Sequence, residues 1–136
     1  MSTIKADNIA TLAGVSTSMA NAVNGSAKAW VNFNGTFSAS TLYTVANGGI
    51  RSAYNVTSVT DIGVGQYTVN FSTAMANANY AIVGSASTDG VAYNGFVLSP
   101  GNVGRSTTSA TINTLAGGSA GGTGYDPQVV NVAIFS

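Results

Sequence analysis

Apolar and polar residues alternate along most of the chain after about residue 27, which is the pattern typical of half-buried β-strands. In the first such stretch, Ala29, Val31 and Phe33 are predicted to face one way, with Trp30 and Asn32 facing the other. Two later stretches alternate in the same way: Tyr67, Val69 and Phe71 against Thr68 and Asn70, and Val130, Val132 and Ile134 against Val129, Asn131 and Ala133.

Short predicted strands continue to the C-terminus, separated by turns rich in Gly, Asn and Pro. After the stretch at residue 29 they cover 52–60, 66–71, 80–87, 95–99, 109–115 and 128–135. The glycine-containing link 61–65 predicts a hairpin between two of them, while Pro100 with Gly101, and the stretch 117–124, predict breaks. About seven strands in a chain long enough for one core predict an all-β fold, an antiparallel β-sandwich or a small barrel.

The first 26 residues follow a different pattern and are predicted to form a separate N-terminal arm, with the β-sandwich head at 27–136. Leu12, Val15, Met19 and Ala22 have the three-four-three spacing of a coiled-coil seam, and Gly25 would end that helix. Two heptads are short for a stable helix, so a loosely ordered arm is the alternative. Residues 4–9 are predicted to be extended.

Composition narrows the possible functions. Charged residues make up only 6% of the chain, where soluble domains carry about a quarter. The many Ser, Thr, Asn and Gly residues can pack against a sister chain without burying an ion, which favours self-association. A net charge of zero disfavours nucleic acid and anionic membranes as partners. We expect neither a secretory signal nor membrane insertion, because no apolar run is long enough.

The residues that usually carry catalysis are missing from the sequence. There is no His, Cys or Glu, so the available acids are Asp7, Asp61, Asp89 and Asp126. Turn contexts at Asp61 and before Pro127 favour a structural role for these carboxylates. We therefore expect no catalytic residue, no cofactor and no dedicated metal site, although calcium bound by Asp and Asn oxygens stays open.

Surface recognition remains as a function, and tyrosines are the residues best suited to it. Tyr43, Tyr54, Tyr93 and Tyr125 lie in or beside predicted loops, where a ring can stack on a sugar while its hydroxyl makes a hydrogen bond. The pairs Tyr93 with Asn94 and Tyr125 with Asp126 are the leading candidates, together with Tyr43. The alternative is that each tyrosine fills the core or a subunit interface.

Four segments resemble a recurrent module of bacteriophage tail-fibre proteins, including those of cyanophages. They are Lys-Ala-Trp-Val-Asn-Phe-Asn-Gly-Thr at 28–36, Arg-Ser-Ala-Tyr-Asn-Val-Thr-Ser-Val-Thr-Asp at 51–61, Gly-Gln-Tyr-Thr-Val-Asn-Phe-Ser-Thr-Ala-Met at 65–75, and Ala-Asn-Tyr at 78–80. The opening residues 2–9 are similar to the start of such proteins. The resemblance implies a virion protein made in the host cytoplasm, a homotrimer, whose N-terminal part attaches to the tail and whose β-domain meets the host.

Within that resemblance, Trp30, Phe33, Tyr67 and Phe71 are predicted core or interface anchors. The chain departs from the module at 37–49 and after residue 87, and we place contact with a host-surface glycan in those variable loops. The other expected partners are tail and baseplate proteins. One alternative is a purely architectural baseplate, collar or decoration subunit. Another is a polysaccharide-degrading tailspike, which needs a carboxylate pair from among Asp61, Asp89 and Asp126.

Overall fold

The computed structural model describes residues 7–10, 14, 16–88, 91–98, 104–116 and 124–136. In these ranges one short helix and eleven strands follow each other as β1 Asn8–Ala10, β2 Ser16–Ser18, α1 Met19–Asn24, β3 Ala29–Phe33, β4 Leu42–Tyr43, β5 Ile50–Tyr54, β6 Val56–Gly63, β7 Gln66–Phe71, β8 Ala81–Thr88, β9 Val91–Leu98, β10 Ser109–Ala116 and β11 Val129–Phe135. The predicted break at Pro100 and Gly101, and all but the last residue of the predicted loop 117–124, lie outside the described residues. Gly124 forms an isolated bridge with Leu115.

Nine strands form one continuous antiparallel ladder in the order β4-β6-β7-β10-β9-β8-β11-β3-β5. The ladder folds over on itself, so that β4, β6, β7 and β10 make one four-stranded layer and β8, β11, β3 and β5 make the other. Strand β9 pairs with β10 on one side and with β8 on the other, and thereby joins the layers. The all-β sandwich expected from the sequence is confirmed.

The predicted alternation decides which side chains fill the space between the layers. Ala29, Val31 and Phe33 are buried on β3, and the paired strand β11 buries Val130, Val132 and Ile134 beside them. The facing layer contributes a matching set: Tyr67, Val69 and Phe71 from β7, with Val59, Ala110 and Ile112. The inward faces predicted for these three strands are confirmed.

Aromatic rings fill one end of this core and bring the two layers into contact. The Phe33 ring meets the Tyr67 ring edge-on, with 5.0 Å between centroids, and lies 6.1 Å from Tyr43. Phe37 packs edge-on against Tyr43 at 5.3 Å. Of the predicted anchors, Phe33, Tyr67 and Phe71 are therefore core residues. Trp30 lies on the outer face of β3 and is 40% exposed, so the core alternative for it is wrong.

The predicted strand 52–60 is two strands, β5 and β6, because the chain turns at Asn55. Asn55 has a φ of 53°, in the left-handed region that residues other than glycine seldom adopt. Its amide nitrogen donates to the carbonyls of Lys28 and Thr73 at 3.0 and 3.1 Å, and its side-chain oxygen accepts from the Thr73 N–H at 2.7 Å. The predicted hairpin with 66–71 survives as β6 pairing with β7.

The N-terminal helix is much shorter than the coiled-coil spacing predicts. Residues 16–18 are a strand, β2, that pairs with β1 in a small hairpin, and among the described residues before 27 the helix is confined to Met19–Asn24. Backbone groups used in that strand pairing cannot also join a helix that begins at residue 12. Leu12 and Val15 lie outside the described residues. The division into an arm at 1–26 and a head at 27–136 stays a prediction.

Replacing Asn55 is expected to lower the free energy of unfolding, and more so for the variant that also strains the backbone. Asn55→Gly keeps the left-handed backbone but loses the side-chain hydrogen bonds, for about 1–3 kcal/mol of unfolding free energy. Asn55→Ala adds the strain of a Cβ at positive φ, roughly 1–2 kcal/mol more. Urea unfolding measures both, with Ser52→Ala on the exposed face of β5 as the control. Equal losses for the two variants would show that the backbone conformation contributes nothing.

Candidate functional site

A hydrogen-bonded group of two tyrosines and two aspartates lies at the end of the sandwich where β6 turns into β7. The Tyr43 hydroxyl donates to Asp61 Oδ2 at 3.0 Å, and the Tyr67 hydroxyl donates to Asp126 Oδ1 at 2.8 Å. Both hydroxyls also lie within 3.3 Å of the Gly35 carbonyl oxygen. We call these four side chains the Tyr–Asp cluster.

The two carboxylates of the cluster also bind backbone N–H groups, which ties the β6–β7 turn to the segment before β11. Asp61 Oδ1 accepts from the Gly63 N–H at 3.0 Å, and Asp126 Oδ1 accepts from the Gly65 N–H at 2.7 Å. Gly65 has a φ of 68°, and a Cβ there would lie 2.5 Å from the Thr114 carbonyl oxygen, so a side chain has no room. The aspartates therefore shape the β6–β7 turn and hold it against the chain entering β11.

The cluster keeps its tyrosines protonated. Burial, followed by the hydrogen bond to Asp126, raises the pKa of Tyr67 far above its ordinary value of 10. Burial and the neighbouring Asp61 raise the pKa of Tyr43 in the same direction. Ionising either phenol would place a second negative charge beside a carboxylate in a site shielded from water. The cluster therefore acts as a set of donors to carboxylates, and a proton-accepting role for these phenols is disfavoured.

The structure moves several predicted recognition residues away from exposed loops. The surface placement of Tyr43 is wrong: it forms β4, and its ring is fully buried between Phe33 and Phe37. Tyr93 and Asn94 lie within β9, and their predicted loop position is wrong because the strand extends over Val91–Leu98. Their recognition role stays a prediction.

Tyr125 and Asp126 do lie next to each other at the surface of a groove, with Thr88 and Ala116. The Tyr125 hydroxyl is buried near Thr88, and burial raises the pKa of this phenol. The backbone of Tyr125 is held on β10, since its carbonyl accepts from the Thr114 hydroxyl at 2.6 Å. Asp126 belongs to the Tyr–Asp cluster, where its carboxylate accepts from the Tyr67 hydroxyl and the Gly65 N–H, and its role in receptor binding stays a prediction.

A row of exposed apolar side chains crosses the outer face of the layer β8-β11-β3-β5. The strand registers place Tyr54 opposite Trp30, Trp30 opposite Ala133, and Ala133 opposite Val83. Tyr54 is 58% exposed and Val83 is 52% exposed. Sequence patterning predicted the outward face of Trp30. The row itself depends on pairing between distant strands, for which the sequence contains no local signal.

A polar row runs beside the apolar one, on the same face. The Asn32 amide donates to Asn131 Oδ1 at 2.5 Å, and the Asn131 amide donates to Ser85 Oγ at 3.3 Å. Arg51 closes one end, 3.5 Å from Asn32 Oδ1. The two rows border a shallow groove of about 490 Å³, within the range of ligand sites. We call this surface, defined by Trp30, Tyr54, Ala133 and Val83 with Asn32, Asn131 and Ser85, the outer strip.

Charged side chains in the described part of the chain are used mainly inside the fold. Arg51 donates to the carbonyls of Phe33 and Gln128 at 2.9 and 2.7 Å. Arg105 donates to the Tyr80 carbonyl at 3.0 Å and lies over the Tyr80 ring. With Asp61 and Asp126 bound in the Tyr–Asp cluster, these four charged groups hold loops in place, although Arg51 itself is exposed.

Within the described ranges, no group of three or more acidic, His or Cys side chains is arranged to hold a metal ion. No described helix is long and apolar enough to span a membrane. Comparison with protein-family models, curated proteins and solved structures finds no match for this chain. Function must therefore be inferred from the surfaces themselves and from the sequence resemblance.

We expect the folded protein to resist ionisation of Tyr43 and Tyr67 at alkaline pH. Because their pKa values are raised on folding, the associated stability is complete below pH 10 and declines as the pH rises above it. Tyrosinate absorbance and circular dichroism, followed together in a pH titration, should show part of the tyrosine signal appearing only with unfolding. Tyr67→Phe, which removes the phenol with the most strongly raised pKa, should weaken this pH dependence. Full, reversible ionisation of all six tyrosines in folded protein would contradict the expectation.

Proposed function

We propose that this chain is a structural subunit of a bacteriophage tail, assembled as a homotrimer, that attaches to the host surface. The resemblance at 28–36 and the following segments supports the class of protein. The single observation that carries the mode of action is the sparsely charged surface: charged residues make up 6% of the chain, and the described arginines and two of the aspartates hold loops in place. Such a surface can be buried against sister chains or glycans without desolvating ions.

Adhesion is the leading form of this function, because the outer strip exposes two aromatic side chains, Trp30 and Tyr54, next to amides. Large exposed apolar groups arranged together typically mark contact surfaces. The purely architectural alternative, a baseplate, collar or decoration subunit, gains support from the burial of Tyr43. Tyr43, one of the three leading candidates for recognition with Tyr93 and Tyr125, is buried in the core and cannot contact a receptor.

A polysaccharide-cleaving tailspike is the least supported alternative. Asp61 and Asp126 both belong to the Tyr–Asp cluster, and their oxygens accept hydrogen bonds from tyrosine hydroxyls and turn N–H groups. A glycosidase pair must instead face the scissile bond, one carboxyl as acid and the other as base or nucleophile. Asp89 lies outside the described residues.

We expect the full-length chain to run in solution at three times its mass of 13.5 kDa. Because the surface has few free charges, the trimer should persist when the salt concentration is raised, unlike an assembly based on ion pairs. Light scattering after size exclusion, at low and high salt, measures both properties. A stable monomer at every concentration would count against the proposal.

Binding to whole cells separates adhesion from architecture. Labelled full-length protein should sediment with some members of a panel of bacteria that includes cyanobacteria, and Tyr125→Ala should show whether the groove at β10 takes part. Trimers that bind no cell in the panel would favour the architectural alternative. Each variant needs its mass confirmed, so that lost binding is not mistaken for lost assembly.

A further inference from the structure

We infer that the outer strip is a binding platform for an uncharged polysaccharide, with Trp30 and Tyr54 as stacking residues and the Asn32–Asn131–Ser85 row as the hydrogen-bonding rail. The inference rests on the proposed adhesive function and assigns it a site. Five of these seven residues lie outside the variable segments 37–49 and after residue 87, and the other two, Asn131 and Ala133, lie on strand β11 and not in a late loop.

The apolar row provides the right surface for the C–H face of a sugar ring. Tyr54, Trp30, Ala133 and Val83 occupy one position on each of four neighbouring strands. Neighbouring strands are about 4.8 Å apart, so the row extends roughly 14 Å across the layer. Ala133 is the smallest side chain in the row and lies between Trp30 and Val83, which leaves the groove open there. A sugar ring lying flat against Trp30 would therefore have apolar neighbours on both sides, Tyr54 on one side and Ala133 with Val83 on the other.

The polar row provides hydrogen bonds at the edge of such a ring. Each amide nitrogen has two hydrogens, and the bonds from Asn32 to Asn131 and from Asn131 to Ser85 use one of them on each residue. The second hydrogen of each amide, and the Ser85 hydroxyl, are available to sugar oxygens. Because the amides already fix each other's orientation, little side-chain entropy remains to be lost on binding.

The chemistry of the strip favours a neutral glycan over the other possible occupants. A phosphate or uronic acid would need a cation, and no charged side chain of the described residues lines the groove. Arg51 lies at one end of the polar row and donates to the carbonyls of Phe33 and Gln128. A second copy of the chain is the other possible occupant, and the solution mass of the Trp30→Ala variant tests for it. Here apolar and amide rows lie side by side, as do the apolar faces and hydroxyl edges of sugar rings.

Trp30 is the only tryptophan, so its fluorescence reports directly on the proposed site. Titration of the full-length protein with neutral glucan and mannan oligosaccharides should shift the emission of Trp30 toward that of a less hydrated indole. An anionic uronate oligosaccharide of similar length should have no such effect. Tyr54→Ala should weaken binding about tenfold, the loss expected for one stacking contact. Asn131→Ala, which interrupts the rail, should weaken it to a similar extent.

Val64→Ala is the matched control, because Val64 is also an exposed apolar residue but lies in the β6–β7 turn on the other layer. It should bind as the unsubstituted chain does. Tyr125→Ala tests the rival groove beside β10 and should also leave oligosaccharide binding unchanged. The solution mass of every variant is measured in parallel, which identifies any that fail to assemble.

Three results would overturn the inference. No neutral glycan in the panel alters Trp30 fluorescence; or binding survives Tyr54→Ala and Asn131→Ala but is lost in Tyr125→Ala; or Trp30→Ala dissociates the trimer, which would make the strip a subunit interface. The second result would leave the proposed adhesive function intact at a different site. Failure of that function is a separate outcome, seen as an unsubstituted chain that is monomeric and binds no cells.

Discussion

The structure depends on satisfying two phenol hydroxyls within an aromatic core. Tyr43 and Tyr67 fill the end of the sandwich next to Phe33, where an unpaired hydroxyl would lose its hydration without compensation. Asp61 and Asp126 accept those hydrogen bonds and in turn fix the β6–β7 turn. A chain with four acidic residues thus uses two of them for this one task.

The exterior carries little charge because the sequence has few charged residues and uses several of them to hold loops. Arg51 links β3 to the chain entering β11 by donating to the carbonyls of Phe33 and Gln128. Arg105 donates to the Tyr80 carbonyl and lies over the Tyr80 ring. Hydrogen-bonding side chains without charge, mostly Asn, Ser and Thr, then cover much of the exposed surface. The outer strip combines this neutrality with the two most exposed aromatic side chains described.

Local patterning predicted most of the strands and their buried faces, because apolar residues such as Val31 and Phe33 alternate in the sequence with residues that face outward. It could not predict the break at Asn55, whose unusual backbone is held by partners at Lys28 and Thr73. Nor could it find β4 or the burial of Tyr43, since Asp61 lies eighteen residues away and the contact depends on tertiary folding. For the same reason the sequence identified Asp126 as a loop residue without revealing its partner Tyr67.

The two outermost strands of the ladder, β4 and β5, are consecutive in the sequence and are joined by a tight turn in which the Ile50 N–H donates to the Thr44 carbonyl. One of them has only two residues. Open strand edges invite pairing with other chains and hence aggregation. Placing both edges at one turn, and keeping one of them very short, limits edge-to-edge growth in a protein with few charges to keep its copies apart. If copies of the chain associate as proposed, the faces of the sandwich are the surfaces left to them, and there side chains determine which surfaces fit together.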